Sequence, residues 1–161
     1  MNLRRILPEE TIRVGLRSQT KPEIIEELLD ILVSSGVVLD RAAALKALRE
    51  REARMPTALQ NGIALPHAKT DAVDRLIAAL ATKPEGVEFG SIDGKPTTIF
   101  VMTLSPLNRA GPHIQFLAEI GRLLGDEQIR TQVLNARTPD EVARILYQAG
   151  GSTADDRNGG T

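Results

Sequence analysis

Two histidines are the only imidazoles in the 161-residue chain, which has no cysteine, so histidine chemistry must come from His67 or His113. His67 directly follows Pro66, which closes a short apolar run. Proline fixes its own φ and restricts the residue before it, so the chain that leads to His67 is stiff. This predicts an imidazole at the end of a buried strand, where open α/β sheets place their ligands. A strand-end histidine that faces solvent is the alternative interpretation.

His113 follows Pro112, at the predicted start of a helix. Helical spacing places it on the same face as Leu117, Ile120 and Leu124, so it points inward from the first turn. A helix N-terminus offers free backbone N–H groups and the positive end of the dipole, which attract phosphate or another anion. A packed, hydrogen-bonded core histidine is the alternative.

Arg51 is the third candidate because it continues an apolar helical stripe, seven residues after Ala44 and three after Leu48. A guanidinium on an inward face needs an anion. Glu52 or Asp71 would supply one within the protein. A phosphoryl group held by the two-pronged guanidinium is the other possibility.

Composition excludes several classes of function. The chain has 20 Lys+Arg against 21 Asp+Glu, three Phe, one Tyr and no Trp, which argues against nucleic-acid binding. Without cysteine there is no disulfide, no cysteine-based metal site and no cysteine nucleophile. No segment resembles a signal peptide or a membrane span, so we expect a cytoplasmic protein without membrane insertion. We assign no cofactor and no metal, since a two-histidine zinc site would lack further ligands.

The elements that must position these residues follow from periodicity. Alternating apolar residues at 12–16 predict a strand. Thr20 and Asp40 are predicted caps of two helices, the first stopped by Gly36 and the second ending near Arg54. Apolar runs predict buried strands at 62–65, 76–81 and 98–104. Three further helices are predicted after residue 112. Asp126 is the predicted N-cap of the second, and residues 138–141 form a capping box at the start of the third.

Together these elements predict an α/β fold. We expect one domain, residues 1–149, with a central mixed sheet of about five strands and helices on both faces. Residues 150–161 are rich in Gly, Asp and Ser, which predicts a disordered C-terminal tail.

The segment that runs from Arg51-Glu52 through Thr57 to Asn61-Gly62-Ile63-Ala64-Leu65-Pro66-His67 resembles the signature of a known family. That family is the fructose/mannitol-type (type 2) enzyme IIA domain of the bacterial phosphoenolpyruvate-dependent phosphotransferase system. Arg51 precedes His67 by sixteen residues and His113 follows at the family's spacing. Residues 113–124 and 92–96 are similar to the family's helix and central hairpin. The start, 1–8, looks most like the nitrogen-type regulatory members.

The resemblance implies a phosphotransferase component. His67 would accept a phosphoryl group from the phosphohistidine of HPr, the upstream carrier. Arg51 and His113 would hold that group, with Thr57 and backbone N–H groups near Gly62 completing the phosphate site. Imidazole suits this chemistry because it is mostly neutral, hence nucleophilic, near neutral pH.

One loop departs from the family pattern. Pro56 stands where the family usually has serine, and Ala58 where it usually has glycine. A hydroxyl contact from position 56 is therefore absent, and the proline also removes one backbone N–H.

The resemblance of residues 1–8 favours the first of three roles, and the other two are alternatives. A nitrogen-type regulator would bind transporters or kinases according to its phosphorylation. A sugar-specific enzyme IIA would pass the group to a cysteine of a separate enzyme IIB. A binding module would take no phosphoryl group at all.

Overall fold

The computed structural model describes the backbone of residues 1–158 and the side chains of residues 1–150. In this part of the chain the helices are α1 Leu3–Ile6, α2 Lys21–Ser34, α3 Arg41–Arg54, α4 Ala110–Gly125, α5 Glu127–Asn135 and α6 Pro139–Asn158. The strands are β1 Ile12–Val14, β2 Ile63–Ala64, β3 His67–Lys69, β4 Ile77–Val87 and β5 Thr97–Ser105.

The five strands form one mixed sheet in the order β1-β4-β5-β2, with β3 also paired to β5. β4 and β5 are antiparallel, whereas β1 runs parallel to β4, and β2 and β3 run parallel to β5. The two short strands follow one another along the same edge of β5. The prediction of a mixed five-stranded sheet is therefore confirmed.

Helices cover both faces of the sheet, as its continuous apolar runs predict. α2 and α3 pack on one face, against Ala79, Ala81 and Phe100. α4, α5 and α6 pack on the other, against the alternate residues Leu80 and Val101. Because strand side chains alternate between faces, a run that is apolar at every position can support two cores.

The predicted helix caps are present. Thr20 Oγ1 accepts a hydrogen bond from the backbone N–H of Glu23, and Asp40 Oδ1 accepts one from Ala43. Asp126 Oδ1 accepts from the N–H groups of Gln128 and Ile129 at 2.8 and 3.2 Å. These contacts satisfy backbone donors that the first helical turn leaves free.

β4 is longer than its apolar pattern predicts, because it continues to Val87. Its register against β5 shifts between Thr82 and Val87. Pro84 lies in this shifted stretch, where an interrupted ladder does not need the N–H group that proline lacks.

The predicted disordered tail, 150–161, begins within α6, whose backbone is helical to Asn158. Residues 159–161 lie outside the described residues. Disorder of the tail stays a prediction.

Candidate active site

His67 is the first residue of β3, opposite Thr103 of β5. The prediction that it ends a strand is therefore wrong in detail, since β2 stops at Ala64 and the chain re-joins the sheet only at His67. The interruption is at Pro66, which has no N–H for the ladder, although its carbonyl accepts from Thr103 N–H at 3.0 Å.

The two ring nitrogens of His67 are in different environments. Nδ1 lies 2.7 Å from the carbonyl oxygen of Leu65, which can only accept a hydrogen bond, so Nδ1 carries the proton in the neutral ring. Burial lowers the pKa of His67, and the charge of Arg51 lowers it further, against opposing effects of the Leu65 carbonyl and Glu52. The neutral ring therefore has its lone pair on Nε2.

His113 lies in the first turn of α4 and is only 4% exposed. Its ring meets that of His67 edge to face, with centroids 5.3 Å apart and an interplanar angle of 78°. Burial, aided by the charges of His67 and Lys69, lowers its pKa to about 4. Its Nε2 is buried without a hydrogen-bond partner. An unpaired buried polar atom costs free energy, so this nitrogen is a hydrogen-bonding group that the described part of the protein leaves unused.

Arg51 lies in the last turn of α3, and its Nη1 donates to the carbonyl of Met55 at 3.1 Å. Within the described part of the chain it forms no ion pair with a carboxylate. Glu52, one of the two partners considered from the sequence, binds Lys21 instead at 2.8 Å. Neither predicted internal anion neutralises the guanidinium.

Arg51, His67 and His113 line one cavity of about 380 Å³, between α3, β3 and α4. The other lining residues are Ala47, Glu50, Arg54, Ala68, Lys69, Ile114 and Leu117. The structure thus brings together three of the five predicted site residues. Sequence reasoning missed Arg54 and Lys69. Their spacing was a usable signal, because Lys69 is two residues along a strand from His67 and Arg54 one helical turn from Arg51.

The other two predicted site residues, Thr57 and Gly62, are not among the residues that line this cavity. The backbone N–H and the hydroxyl of Thr57 both donate to the carboxylate of Glu52, at 2.9 and 2.7 Å. Gly62 has φ +75°, and a Cβ there would lie 2.9 Å from Thr98 Oγ1. Gly62 therefore allows a left-handed turn close against β5.

Residues 56–58, where the sequence departs from the family pattern, contact other parts of the protein. Thr57 is fixed to Glu52, and the buried Ala58 pairs with Ala64 in an isolated antiparallel bridge. Pro56 is exposed and lies beside Gly90, where a Cβ would be 3.5 Å from the proline ring. The proline and alanine substitutions thus leave an ordered loop.

Within the described residues, no three His, Cys, Asp or Glu side chains are grouped as metal ligands would be. Among the helices of residues 1–158, none has both the length and the apolar character to cross a bilayer.

Residues 5–149 match the family model described as "Phosphoenolpyruvate-dependent sugar phosphotransferase system, EIIA 2". The chain is 40% identical over 143 residues to a fructose-specific EIIA component from Haloferax volcanii, covering 89% of this chain and 93% of that protein. Its fold is similar to nitrogen regulatory protein IIA-Ntr of Neisseria meningitidis, with a TM-score of 0.82 and 28% identity over 88% of this chain and 97% of that one.

A second solved structure is the complex of enzyme IIA and phosphorylated enzyme IIB for mannitol from Escherichia coli. Its TM-score is 0.75 at 27% identity, and the match covers 86% of this chain and 95% of that chain.

Proposed function

The chain belongs to the EIIA 2 family of the phosphoenolpyruvate-dependent sugar phosphotransferase system, and on that premise we propose that it carries a phosphoryl group on Nε2 of His67. The observation that supports this atom is the 2.7 Å contact between Nδ1 and the Leu65 carbonyl. That contact engages one ring nitrogen and leaves the other with its lone pair. A nucleophile needs an available lone pair at the pH of the reaction, and the lowered pKa of His67 keeps the ring neutral.

The proposed reaction moves the phosphoryl group between two nitrogens. The bond from phosphorus to the donor's nitrogen breaks as the bond to Nε2 of His67 forms. The proton on Nδ1 stays on the ring and keeps its hydrogen bond to Leu65. For such a transfer the protein mainly has to align the two nitrogens with phosphorus and to place positive charge around the three phosphoryl oxygens.

Arg51 and His113 supply these needs in the proposal. Arg51 uses one N–H on Met55 and has four others for phosphoryl oxygens. His113, neutral and without a partner at Nε2, donates one hydrogen bond. Thr57 and Gly62, predicted from the sequence to bind phosphate, act in this proposal by shaping the loop.

The donor that we propose is HPr, whose phosphohistidine is regenerated from phosphoenolpyruvate by enzyme I. Incubation of the chain with both proteins and labelled phosphoenolpyruvate should give an acid-labile label. His67→Ala should take none. His113→Ala should still be labelled on His67, with a rate about ten-fold to a hundred-fold lower. An unlabelled wild type, or a labelled His67→Ala, would refute the proposal and would favour a binding module without phosphotransfer.

Two roles for the phosphorylated chain are supported by different observations. The 40% identity to a fructose-specific EIIA component favours delivery to a sugar-specific enzyme IIB, and we propose this role first. The sequence has no cysteine, so an acceptor cysteine must lie outside it. The resemblance of residues 1–8 and the similarity to IIA-Ntr favour the regulatory role, in which transporters or kinases are the partners.

A discharge experiment separates the two roles. The labelled protein is mixed with candidate enzyme IIB proteins and their sugars, fructose and mannitol first. Sugar-dependent loss of label from His67 supports delivery. Label that stays on the protein with every pair, while binding to a transporter or kinase depends on phosphorylation, supports regulation instead.

A further inference from the structure

Lys69 lies two residues after the proposed phosphoryl carrier on the same strand, β3. Side chains two apart in a strand share a face, so the Lys69 and His67 side chains project to the same side. Both residues line the 380 Å³ cavity with Arg51 and His113. The strand therefore places Lys69 beside the same cavity as the proposed site of phosphoryl attachment.

The ammonium of Lys69 has no internal anion. Within residues 1–150 it forms no ion pair, whereas Lys21 and Lys83 pair with Glu52 and Glu85. Lys69 lies near enough to His113 for its charge to help lower that residue's pKa. Lys69 is exposed and, among the described residues, unpaired, so its charge is available to an anion bound beside the two neutral imidazoles.

The other charged residues around the cavity do not by themselves balance the charge of a phosphoryl group. Arg51 and Arg54 lie on the α3 wall, and Glu50 lies there too, with its carboxylate 4.0 Å from Lys46. A phosphoryl group on His67 carries close to two negative charges at neutral pH. The guanidiniums of Arg51 and Arg54, offset by the carboxylate of Glu50, supply a net charge of only about +1, so the ammonium of Lys69 adds the further positive charge that stabilises the product and the transition state.

We propose that Lys69 is a further catalytic residue, which binds the oxygens of the phosphoryl group on His67. This inference rests on the proposed function of His67. It assigns Lys69 to the phosphoryl group itself and not to the docking of a partner protein.

Phosphoramidate separates these two assignments, because it is a small phosphoryl donor that needs no docking surface. Nε2 of His67 attacks phosphorus, the bond from phosphorus to the donor nitrogen breaks, and ammonia leaves with the protons that its nitrogen already carries. The phosphoryl group gains the bond to Nε2, and Nδ1 keeps its proton. The rate of labelling by phosphoramidate therefore reports on the cavity alone.

We expect Lys69→Met to lower the phosphoramidate rate about ten-fold, and Lys69→Arg to restore most of it. Lys95→Met is the matched control, because Lys95 is exposed in the turn at 91–96 and is not among the cavity residues. Its rate should equal that of the wild type. A Lys69→Met variant that is slow with phospho-HPr but normal with phosphoramidate would place Lys69 in docking and overturn the proposal.

A second measurement tests contact directly. A cation against phosphoryl oxygens favours their dianion, so the pKa of the phosphoryl group, followed by ³¹P NMR on the phosphorylated chain, should rise in Lys69→Met but not in Lys95→Met. An unchanged phosphoryl pKa in Lys69→Met would contradict the contact. If the wild type takes no label, the proposed function fails. If the wild type is labelled and Lys69→Met behaves identically in both measurements, only the role of Lys69 fails.

Discussion

His67 and His113 have the same side chain but different environments, and the difference assigns their roles. His67 has one nitrogen bound to the Leu65 carbonyl, whereas His113 is more deeply buried with Nε2 unpaired. Burial is the largest cause of the lowered pKa in both residues. Both rings are thus neutral at neutral pH, and in the proposed function His67 acts as the nucleophile and His113 as a hydrogen-bond donor.

Substitution of Arg51 tests whether the planar shape of its guanidinium is needed for phosphoryl transfer. Arg51→Lys keeps the positive charge but replaces a planar fork by a single ammonium, which cannot hold Met55 and two phosphoryl oxygens together. We expect labelling of His67 by phospho-HPr to slow by about ten-fold.

The matched control for Arg51→Lys is Arg49→Lys, on the same helix. Arg49 pairs with Glu26 at 3.4 Å and is not among the residues that line the cavity. Its substitution should leave the rate within experimental error. Equal rates for the two variants would show that the bidentate geometry of Arg51 is not used.

His113 makes stability depend on pH. Its pKa is about 4 when folded, against 6.5 for the ordinary group. Between these values the unfolded chain binds a proton that the folded chain does not, so stability falls as pH falls. The loss due to this group reaches about 3 kcal/mol near pH 4 and is absent above pH 7.

Urea unfolding at pH 7.5 and pH 4.5 measures this effect. The difference between the two pH values should be smaller in His113→Gln than in the wild type, because glutamine does not titrate. Because the comparison is between the pH-dependent changes in unfolding free energy of the two proteins, a loss of stability that the substitution causes equally at both pH values cancels. A pH dependence that is the same in both proteins would mean that His113 binds its proton equally well in the folded state.

At the scale of elements, the end of α3 and the loop after it form one unit around Glu52. This carboxylate is 7% exposed. It accepts two hydrogen bonds from Thr57 and an ion pair from Lys21, the first residue of α2. The loop that follows Arg51 is therefore fixed to two helices, and the guanidinium bound to the Met55 carbonyl is fixed with it.

Glu52→Gln tests this unit. The amide loses the charge that pairs with Lys21, and only its carbonyl oxygen can accept from Thr57. Breaking a buried pair on one side costs about 3 kcal/mol in the free energy of unfolding. Glu50→Gln, whose carboxylate lies in a surface pair, should change it by less than about 0.5 kcal/mol.

Urea unfolding measures the free energy of unfolding of both variants. The rate at which His67 is labelled provides a second test. We expect Glu52→Gln to slow labelling of His67 even where the protein is fully folded, whereas Asp30→Asn, in a surface pair and not among the cavity residues, should leave the rate unchanged. A Glu52→Gln protein as stable as Glu50→Gln and as fast as Asp30→Asn would show that the loop needs no anchor.

At the scale of the whole molecule, the site joins the two helical layers at one edge of the sheet. Arg51 comes from α3 on one face, His113 from α4 of the other layer, and His67 from the edge strand β3 between them. Neither layer alone can form the cavity. The geometry of the site therefore depends on both cores.

The two cores should contribute separately to stability. Leu48 of α3 and Leu123 of α4 are both buried, in different cores. Leu48→Ala and Leu123→Ala should each lower the free energy of unfolding by about 3 kcal/mol, with effects that add to within about 0.5 kcal/mol. Leu39→Ala is the control, because Leu39 is 70% exposed. Strong non-additivity in urea unfolding would show that the sheet couples the two cores.

The amino-acid sequence by itself determined most of the elements, their caps and three of the residues that line the cavity, but not the separate strand β3. Apolar periodicity and the caps at Thr20, Asp40 and Asp126 depend on neighbours a few residues away, so they can be read from the chain directly. The spacing of Arg51, His67 and His113 pointed to the family. Runs that are apolar at every position predicted strands covered by helices on both faces of the sheet.

Only the tertiary structure decided which partner each polar group takes. Thr57 was expected to reach phosphate but donates to Glu52, which pairs with Lys21 and not with Arg51. The protonated nitrogen of His67 follows from the position of a backbone carbonyl. Several acceptors lie near each donor along the chain, and packing between distant segments selects among them because a buried hydrogen bond needs a partner within about 3 Å.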